Sequence, residues 1–141
     1  METDRFPEGV RPLDHTADIG MDVRAPSLAE LFHAAAAGLV AFTCPRRDGV
    51  PTHAWERVQL EADDAALLLV AWLRELLYRM DTRQLCYVNA EFTEIGAQRL
   101  AARVGLAHCA AAIREIKGVT YHDLDVHREG TEWRARVIFD V

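Results

Sequence analysis

The apolar residues of this chain recur with two periods, one typical of strands and the other of helices. In residues 18–25, every second side chain is apolar, from Ile19 to Ala25, and this alternation predicts a half-buried strand. Strand-like sequences occupy residues 18–25, 57–62, 85–95, 100–106, 119–127 and 133–141. Turn residues around Gly96 and Gly130 indicate that several of these strands are joined as hairpins.

Two other segments have the spacing of helices. The first covers residues 28–42 and follows Ser27, whose hydroxyl can accept a hydrogen bond from the amide of Glu30 in a capping box. The second covers residues 64–80, is apolar on most sides, and has Asp63 in position to cap it. Two helices and about six strands predict an α+β fold with the helices packed on a largely antiparallel sheet.

Length and charge restrict the class of protein. We expect the 141 residues to form one domain, with residues 1–11 as a flexible lead-in. The net charge of −6 argues against strong direct binding to nucleic acid but permits docking on a basic protein. The N-terminus lacks the apolar segment of a signal peptide, and no apolar run is long enough to span a bilayer, so no membrane association is expected.

The cysteines are odd in number and far apart in the sequence, at Cys44, Cys86 and Cys109. This spacing argues against a zinc ribbon and against a disulfide framework. This use of cysteine fits a protein of the reducing cytoplasm.

Acidic residues lie near the outer ends of the first and last predicted strands. Asp18 begins the first strand, Asp140 is near the end of the last, and Val141 can add a carbonyl or carboxylate oxygen. If these strands are neighbours, the oxygens could converge on a hard divalent cation such as Ca²⁺, Mg²⁺ or Mn²⁺. The alternative is that both acids are simply solvated.

Three basic residues are further candidates for a polar site. Lys117 precedes a predicted strand and could bind a phosphate or a carboxylate, although an exposed lysine without such a role is the commoner case. His15 and His122 could be general bases or ligands, or could be hydrogen-bonded at strand edges. The sequence contains no Gly-rich phosphate loop and no G-x-S-x-G motif, so catalysis by this chain alone is not supported.

Five segments together resemble the archease family. They occur in the family's order and extend from about residue 12 to the last residue given. The segments are DHTADIG at residues 14–20, SLAELF at 27–32, WLRELL at 72–77, EIKGVTYH at 115–122 and IFDV at 138–141. The first and fourth are specific enough that their joint occurrence by chance is improbable.

This resemblance implies a function. Archeases are small cytoplasmic partners of the RtcB-type RNA ligase, which joins 2′,3′-cyclic phosphate or 3′-phosphate ends to 5′-hydroxyl ends in tRNA splicing and RNA repair. A member would be a non-catalytic activator that promotes guanylylation and multiple turnover of the ligase.

The resemblance also implies a site. Its metal ligands would be Asp18, Asp140 and Val141, and Lys117 would act in activation of the partner. The expected ion is Ca²⁺ in a crystal, with Mg²⁺ or Mn²⁺ as alternatives. Many archeases carry Gly-Asp or Gly-Glu before the first helix, whereas Ala25 and Pro26 stand here, so the resemblance does not extend to that acid.

Two rival functions remain open at this point. One is a chaperone-like or adaptor module for RNA-modifying enzymes, which would act through an apolar surface. The other is a metal-dependent phosphatase or cyclase acting at RNA ends, which would turn over without any ligase. The sequence contains no matched nucleophile and base, which counts against the second.

Overall fold

The computed structural model describes residues 6–14, 19–44, 51–109 and 114–141. Within these ranges the chain forms eight strands and two helices. They are, in order, β1 (Val10–Asp14), β2 (Ile19–Ala25), α1 (Leu28–Thr43), β3 (Ala54–Glu61), α2 (Ala65–Arg83), β4 (Leu85–Ile95), β5 (Arg99–His108), β6 (Gly118–Val119), β7 (Asp125–Glu129) and β8 (Glu132–Asp140).

The strands form two sheets in which every pairing is antiparallel. In the five-stranded sheet, β8 pairs with β2 on one side and with both β6 and β7 on the other, while β1 pairs with the outer side of β2. The second sheet has the order β3-β5-β4. The sequence therefore predicts the antiparallel arrangement correctly but not its division into two sheets.

Both helices lie against both sheets. Helix α1 contacts β2 and β8 of the larger sheet and β4 of the smaller one, and α2 contacts β6, β7, β3 and β4. The largest side chains in the fully buried core come from both helices and from the larger sheet: Trp72, Phe32, Phe139 and Met21. The predicted α+β fold, with helices packed on antiparallel sheets, is confirmed. Within the described ranges, neither helix combines the length and apolarity needed to cross a membrane.

The helix starts are set by side-chain caps. The hydroxyl of Ser27 accepts a hydrogen bond from the amide of Glu30 at 3.1 Å, as the capping pattern predicts. At the second helix the cap is Asp64, not Asp63, and its Oδ1 accepts from the amide of Leu67 at 2.8 Å. Because α2 begins at Ala65, the acid immediately before it has the geometry to cap.

Two segments differ from the sequence expectation. A lead-in without regular structure was expected through residue 11, yet β1 begins at Val10, which pairs with Val23. The single strand expected over residues 119–127 is divided into β6 and β7. Between them the amide of Leu124 donates to the carbonyl of Tyr121, and Asp123 has a positive φ of 51°. Asp tolerates this left-handed conformation better than most residues, so it accommodates the turn.

The cysteines do not follow their prediction either. Cys44 and Cys109 form a disulfide, although 65 positions separate them in the sequence. Cys44 follows the last turn of α1 and Cys109 follows β5, so the packing of a helix end against a strand end brings them together. The spacing argued against a disulfide framework and gave no sign of this single disulfide, because the contact arises only when distant elements pack together.

A half-buried carboxylate, paired with two arginines, joins three strands of the larger sheet. The carboxylate of Asp22 on β2 accepts two hydrogen bonds from Arg136 on β8, at 2.7 and 2.8 Å, and one from Arg11 on β1 at 2.8 Å. The hydrogen bonds from Arg136 are the main reason that the pKa of Asp22 is lowered from its usual value, although partial burial opposes them.

We expect Asp22→Asn to destabilise the fold by roughly 1–2 kcal/mol near neutral pH, because two guanidinium groups lose their anionic partner. The lowered pKa means that this stabilisation is complete above the unfolded pKa and is lost as the pH falls through the folded pKa. Urea denaturation should therefore show a difference between wild type and variant at about pH 7 that shrinks toward about pH 3. Glu61→Gln, which removes an exposed pair with Arg99, is the matched control and should have little effect at either pH. A pH-independent difference for Asp22→Asn would contradict the assignment.

Candidate functional site

The candidate site lies where β8 ends. Asp140 is the last residue of β8, its side chain is exposed, and its carbonyl accepts a hydrogen bond from the backbone amide of Lys117 at 2.7 Å. Gly118, the next residue, is the register partner of Asp140 in the pairing of β6 with β8. The fold therefore brings the backbone of Lys117 directly beside Asp140, and both side chains are exposed.

The segment that contains Lys117 is fixed by its apolar and hydroxyl residues. Ile116 and Val119 are buried in the core, while Glu115 and Lys117 are exposed. The amide and the hydroxyl of Thr120 both donate to the carbonyl of Ile138, each at 3.0 Å. This alternation of buried and exposed residues holds the backbone on the sheet and leaves the charged side chains in water.

On the other side of β8, strand β2 reaches the same end of the sheet. Ile19 is the register partner of Phe139, and Gly20 is the partner of Ile138. A Cβ on Gly20 would stand 2.6 Å from the carbonyl oxygen of Val137, so only glycine permits this close strand approach. Strands β2 and β8, which correspond to the first and last strands predicted from the sequence, are therefore neighbours, as the argument for a joint site requires.

The two N-terminal candidates cannot be placed. Asp18, the first metal-ligand candidate, and His15 both lie outside the described residues, so their roles stay predictions. His122 is described and is exposed, with its Nε2 3.5 Å from the carboxylate of Asp123. That contact is with a neighbour in a turn and does not assemble a nucleophile and a base.

Arg74 of α2 supports the segment of Lys117, a role that the sequence does not indicate. Its two terminal nitrogens donate to the carbonyl of Val119 and to the hydroxyl of Tyr121, both at 2.9 Å. The guanidinium also lies 4.8 Å from the centre of the Tyr121 ring. Arg74 thus braces the segment after Lys117 from a helix more than 40 positions away, a separation that leaves no local sequence pattern.

Asp81 of α2 is an acidic residue on the inner side of the segment that contains Lys117. Burial raises the pKa of Asp81 on α2, and the negative charge of Glu115 raises it further. Both residues border a cavity of about 310 Å³ between α2 and the segment before β6. The segment of Lys117 therefore has acidic groups on both its exposed face and its inner side.

The chemistry of the site is that of exposed oxygens beside a lysine. Asp140 is exposed, and the adjacent Val141 is 41% exposed, so a carboxylate and a second oxygen-bearing residue stand together at this sheet end. Oxygen donors of this kind fit a hard divalent cation, and the exposed ammonium of Lys117 fits an anionic group on a partner. The described residues at this sheet end could therefore bind a cation and an anionic group of a partner.

Fold and site together define a class of small α+β protein in which two helices pack on antiparallel sheets and charged groups stand at one exposed sheet end. Residues 11–141 match the Archease protein family (MTH1598/TM1083). This chain belongs to the archease family, as the sequence resemblance predicted.

Two archeases from other organisms agree with this assignment. An archease of Thermococcus gammatolerans is 32% identical over an alignment of 141 positions, gaps included. The alignment covers 91% of this chain and 95% of the relative. An archease of Methanosarcina barkeri is 29% identical over 139 residues, which cover 92% of this chain and 93% of the relative. The likeness therefore extends over nearly the whole of both proteins.

Solved structures show the same fold. The solution structure of protein 1598 of Methanobacterium thermoautotrophicum has a TM-score of 0.70 and 25% identity, and the match covers 96% of this chain and all of that protein. The crystal structure of a Thermotoga maritima protein described as "an archease, possible chaperone" has a TM-score of 0.63 and 19% identity, with 93% of this chain and 96% of that protein covered. The second likeness bears on the fold alone.

Proposed function

We propose that this protein is a non-catalytic, cytoplasmic activator of an RtcB-type RNA ligase in tRNA splicing or RNA repair. It would promote guanylylation of the ligase and allow multiple turnover. The observation that carries the proposal is the hydrogen bond between the amide of Lys117 and the carbonyl of Asp140, at 2.7 Å. It joins a position of the specific segment EIKGVTYH to a position of the segment IFDV at one sheet end, and both side chains are exposed.

In this proposal Asp18, Asp140 and Val141 would hold a divalent cation, with Ca²⁺, Mg²⁺ and Mn²⁺ as candidates. The pairing of Ile19 with Phe139 supports it, because these residues are the sequence neighbours of Asp18 and Asp140. A cation bound there would supply positive charge near the phosphates of the partner's nucleotide. Lys117 adds a second positive group beside it, on a side chain long enough to reach out from the sheet.

Charge supports a protein partner over a nucleic acid. The chain carries 22 acidic and 16 basic residues, and this excess favours docking on a basic ligase surface. Strong direct binding of RNA would require the opposite balance. The role of this protein would therefore be to complete the ligase active site rather than to recognise the substrate.

The deciding experiment is a multiple-turnover ligation assay with an RtcB-type ligase, GTP and Mn²⁺. This protein is added in substoichiometric amount, and RNA carries a 2′,3′-cyclic phosphate at one end and a 5′-hydroxyl at the other. We expect many more ligation events per ligase, together with faster labelling of the ligase by GTP. An active ligase whose turnover number and guanylylation rate do not change would refute the proposal.

A chaperone-like or adaptor function is the alternative, and exposed aromatic side chains favour it. Tyr78 on α2 is 63% exposed, and Tyr121 is 58% exposed beside the segment of Lys117. Exposed aromatic residues of this kind are common in protein interfaces. On this alternative, activation would survive the loss of the Asp140 carboxylate and fail when Tyr78 and Tyr121 are replaced by alanine.

A further inference from the structure

The three cysteines meet at one point in the fold. Their sulfur atoms lie within 4.8 Å of one another, although they come from the end of α1, the start of β4 and the end of β5. Cys44 and Cys86 are each 2% exposed, and Cys109 is half-buried. Alongside the Cys44–Cys109 disulfide, the sulfur of Cys86 lies 2.8 Å from that of Cys44.

Backbone hydrogen bonds hold all three positions in place. The amide of Cys44 donates to the carbonyl of Val40 at 2.8 Å, and the amide of Cys109 donates to that of Gln84 at 2.9 Å. Cys86 is the register partner of Ala107 in the pairing of β4 with β5. Because these contacts do not involve sulfur, reduction of the disulfide should leave three thiols gathered in the same place.

We propose that the reduced protein binds one thiophilic d¹⁰ metal ion, of the class of Cu⁺, Zn²⁺ or Cd²⁺, through the sulfurs of Cys44, Cys86 and Cys109. Metal–thiolate bonds are about 2.3 Å long, so sulfurs around one ion lie roughly 4 Å apart, and small side-chain rotations suffice here. Soft thiolate ligands select these ions over Ca²⁺ or Mg²⁺. This site is distinct in chemistry and position from the oxygen ligands of Asp140.

A thioether lies at the edge of the same cluster. The hydroxyl of Thr43 is 3.3 Å from the sulfur of Met80 and 3.6 Å from the sulfur of Cys44. Met80 also borders the cavity of about 310 Å³ that contacts Cys44 and Cys109, so an ion has a path to the thiols. Three thiolates and a nearby thioether form a soft environment, which suits this class of ion.

The redox balance of the site is simple. A cellular dithiol gives two electrons and two protons to the Cys44–Cys109 disulfide and becomes a disulfide itself, which yields two thiols. Together with Cys86, these lose three protons when the ion binds as three thiolates. In the reverse direction, a cellular disulfide takes two electrons from the thiolates of Cys44 and Cys109 and two protons from solvent and becomes a dithiol. The Cys44–Cys109 disulfide then forms again, which removes two of the three ligands.

Titration with Cd²⁺ tests the proposal, with one sample fully reduced and the other oxidised. The reduced protein should bind one ion per chain with thiolate-to-metal charge-transfer absorbance, and the oxidised protein should show no such band. This comparison needs no substitution, so it does not depend on a variant that folds. A reduced protein without the band, or an oxidised protein with the same band, would overturn the proposal.

Two variants sharpen the test. Cys86→Ser should weaken Cd²⁺ binding by more than about tenfold, since the loss of even an outer-shell partner commonly has that effect. Asp140→Asn removes an oxygen donor of the other site and should leave the charge-transfer titration unchanged. Equal affinity in Cys86→Ser and wild type, or loss of the band in Asp140→Asn, would each count against a three-sulfur site.

Discussion

Asp140→Asn is expected to reduce ligase activation to the level seen without this protein, while leaving the fold intact. The substitution preserves the shape of the side chain and the carbonyl that accepts from the amide of Lys117. It removes only the anionic charge and one strong acceptor oxygen from an exposed position. Exposed substitutions of this type usually change stability by less than about 0.5 kcal/mol.

The measurement is the number of ligation events per ligase with wild-type and variant protein, alongside thermal unfolding of both. Glu94→Gln is the matched control, because Glu94 is also an exposed acid near a strand end but belongs to the smaller sheet. Full activation by Asp140→Asn would reject the role of this carboxylate. It would also shift attention to the exposed rings of Tyr78 and Tyr121.

Trp72→Ala is expected to destabilise the fold by about 3–5 kcal/mol, a large part of the stability of a domain of this size. Trp72 is fully buried on α2, and its indole nitrogen donates to the carbonyl of Phe32 on α1 at 2.9 Å. Its ring also contacts Tyr87 and Phe92 on β4, with centroid distances of 5.9 and 5.4 Å. One side chain therefore joins both helices to the smaller sheet, and its removal leaves a cavity that several elements would have to close.

Urea denaturation followed by far-UV circular dichroism would measure this loss. Tyr78→Ala lies on the same helix at a position that is 63% exposed, and it should change the free energy of unfolding by less than about 0.5 kcal/mol. Trp72→Phe should fall between the two, since it keeps an aromatic ring but loses the hydrogen bond. A cost below about 1 kcal/mol for Trp72→Ala would show that the core packs differently from this description.

Local patterns in the sequence predict the individual elements well. The capping pair of Ser27 and Glu30 defines the start of α1, and the expected strand over residues 85–95 coincides with β4. Alternation also identifies the buried face of β2, with Met21 and Val23 inside. These features succeed because each is fixed by residues only a few positions apart.

Features that depend on contacts between distant residues are harder to predict from the sequence. Alternation shows that a strand has one buried face, but it does not show which sheet the strand joins. The sequence therefore predicts one sheet where the structure has two. The break at Asp123 depends on a backbone conformation that several residue types can adopt. The cysteine cluster has no local pattern at all, because three separate elements must pack before the sulfurs meet.

The candidate site is an intermediate case. The sequence argument for a cation site assumed that the strands after Asp18 and before Val141 are neighbours. The structure shows that these strands, β2 and β8, do pair. The contact between Lys117 and Asp140 joins two residues that the family resemblance names as functional, but the spacing of the two residues does not predict it. Arg74 was missed because its contacts with Val119 and Tyr121 cross from a helix to a distant strand.

The pairing of β2 with β8 also determines when the candidate site can form during synthesis. Asp22 and Arg136 are partners across 114 positions, whereas the β4–β5 hairpin and the two helices involve near neighbours in the sequence. Local contacts form readily, but a pairing between such distant strands must wait until the later strand has left the ribosome. An incomplete nascent chain could thus contain helices and a hairpin while β2 still lacks its partner. The sheet end that carries Lys117 and Asp140 would then form only in chains whose translation has passed β8, so shortened products would lack this surface.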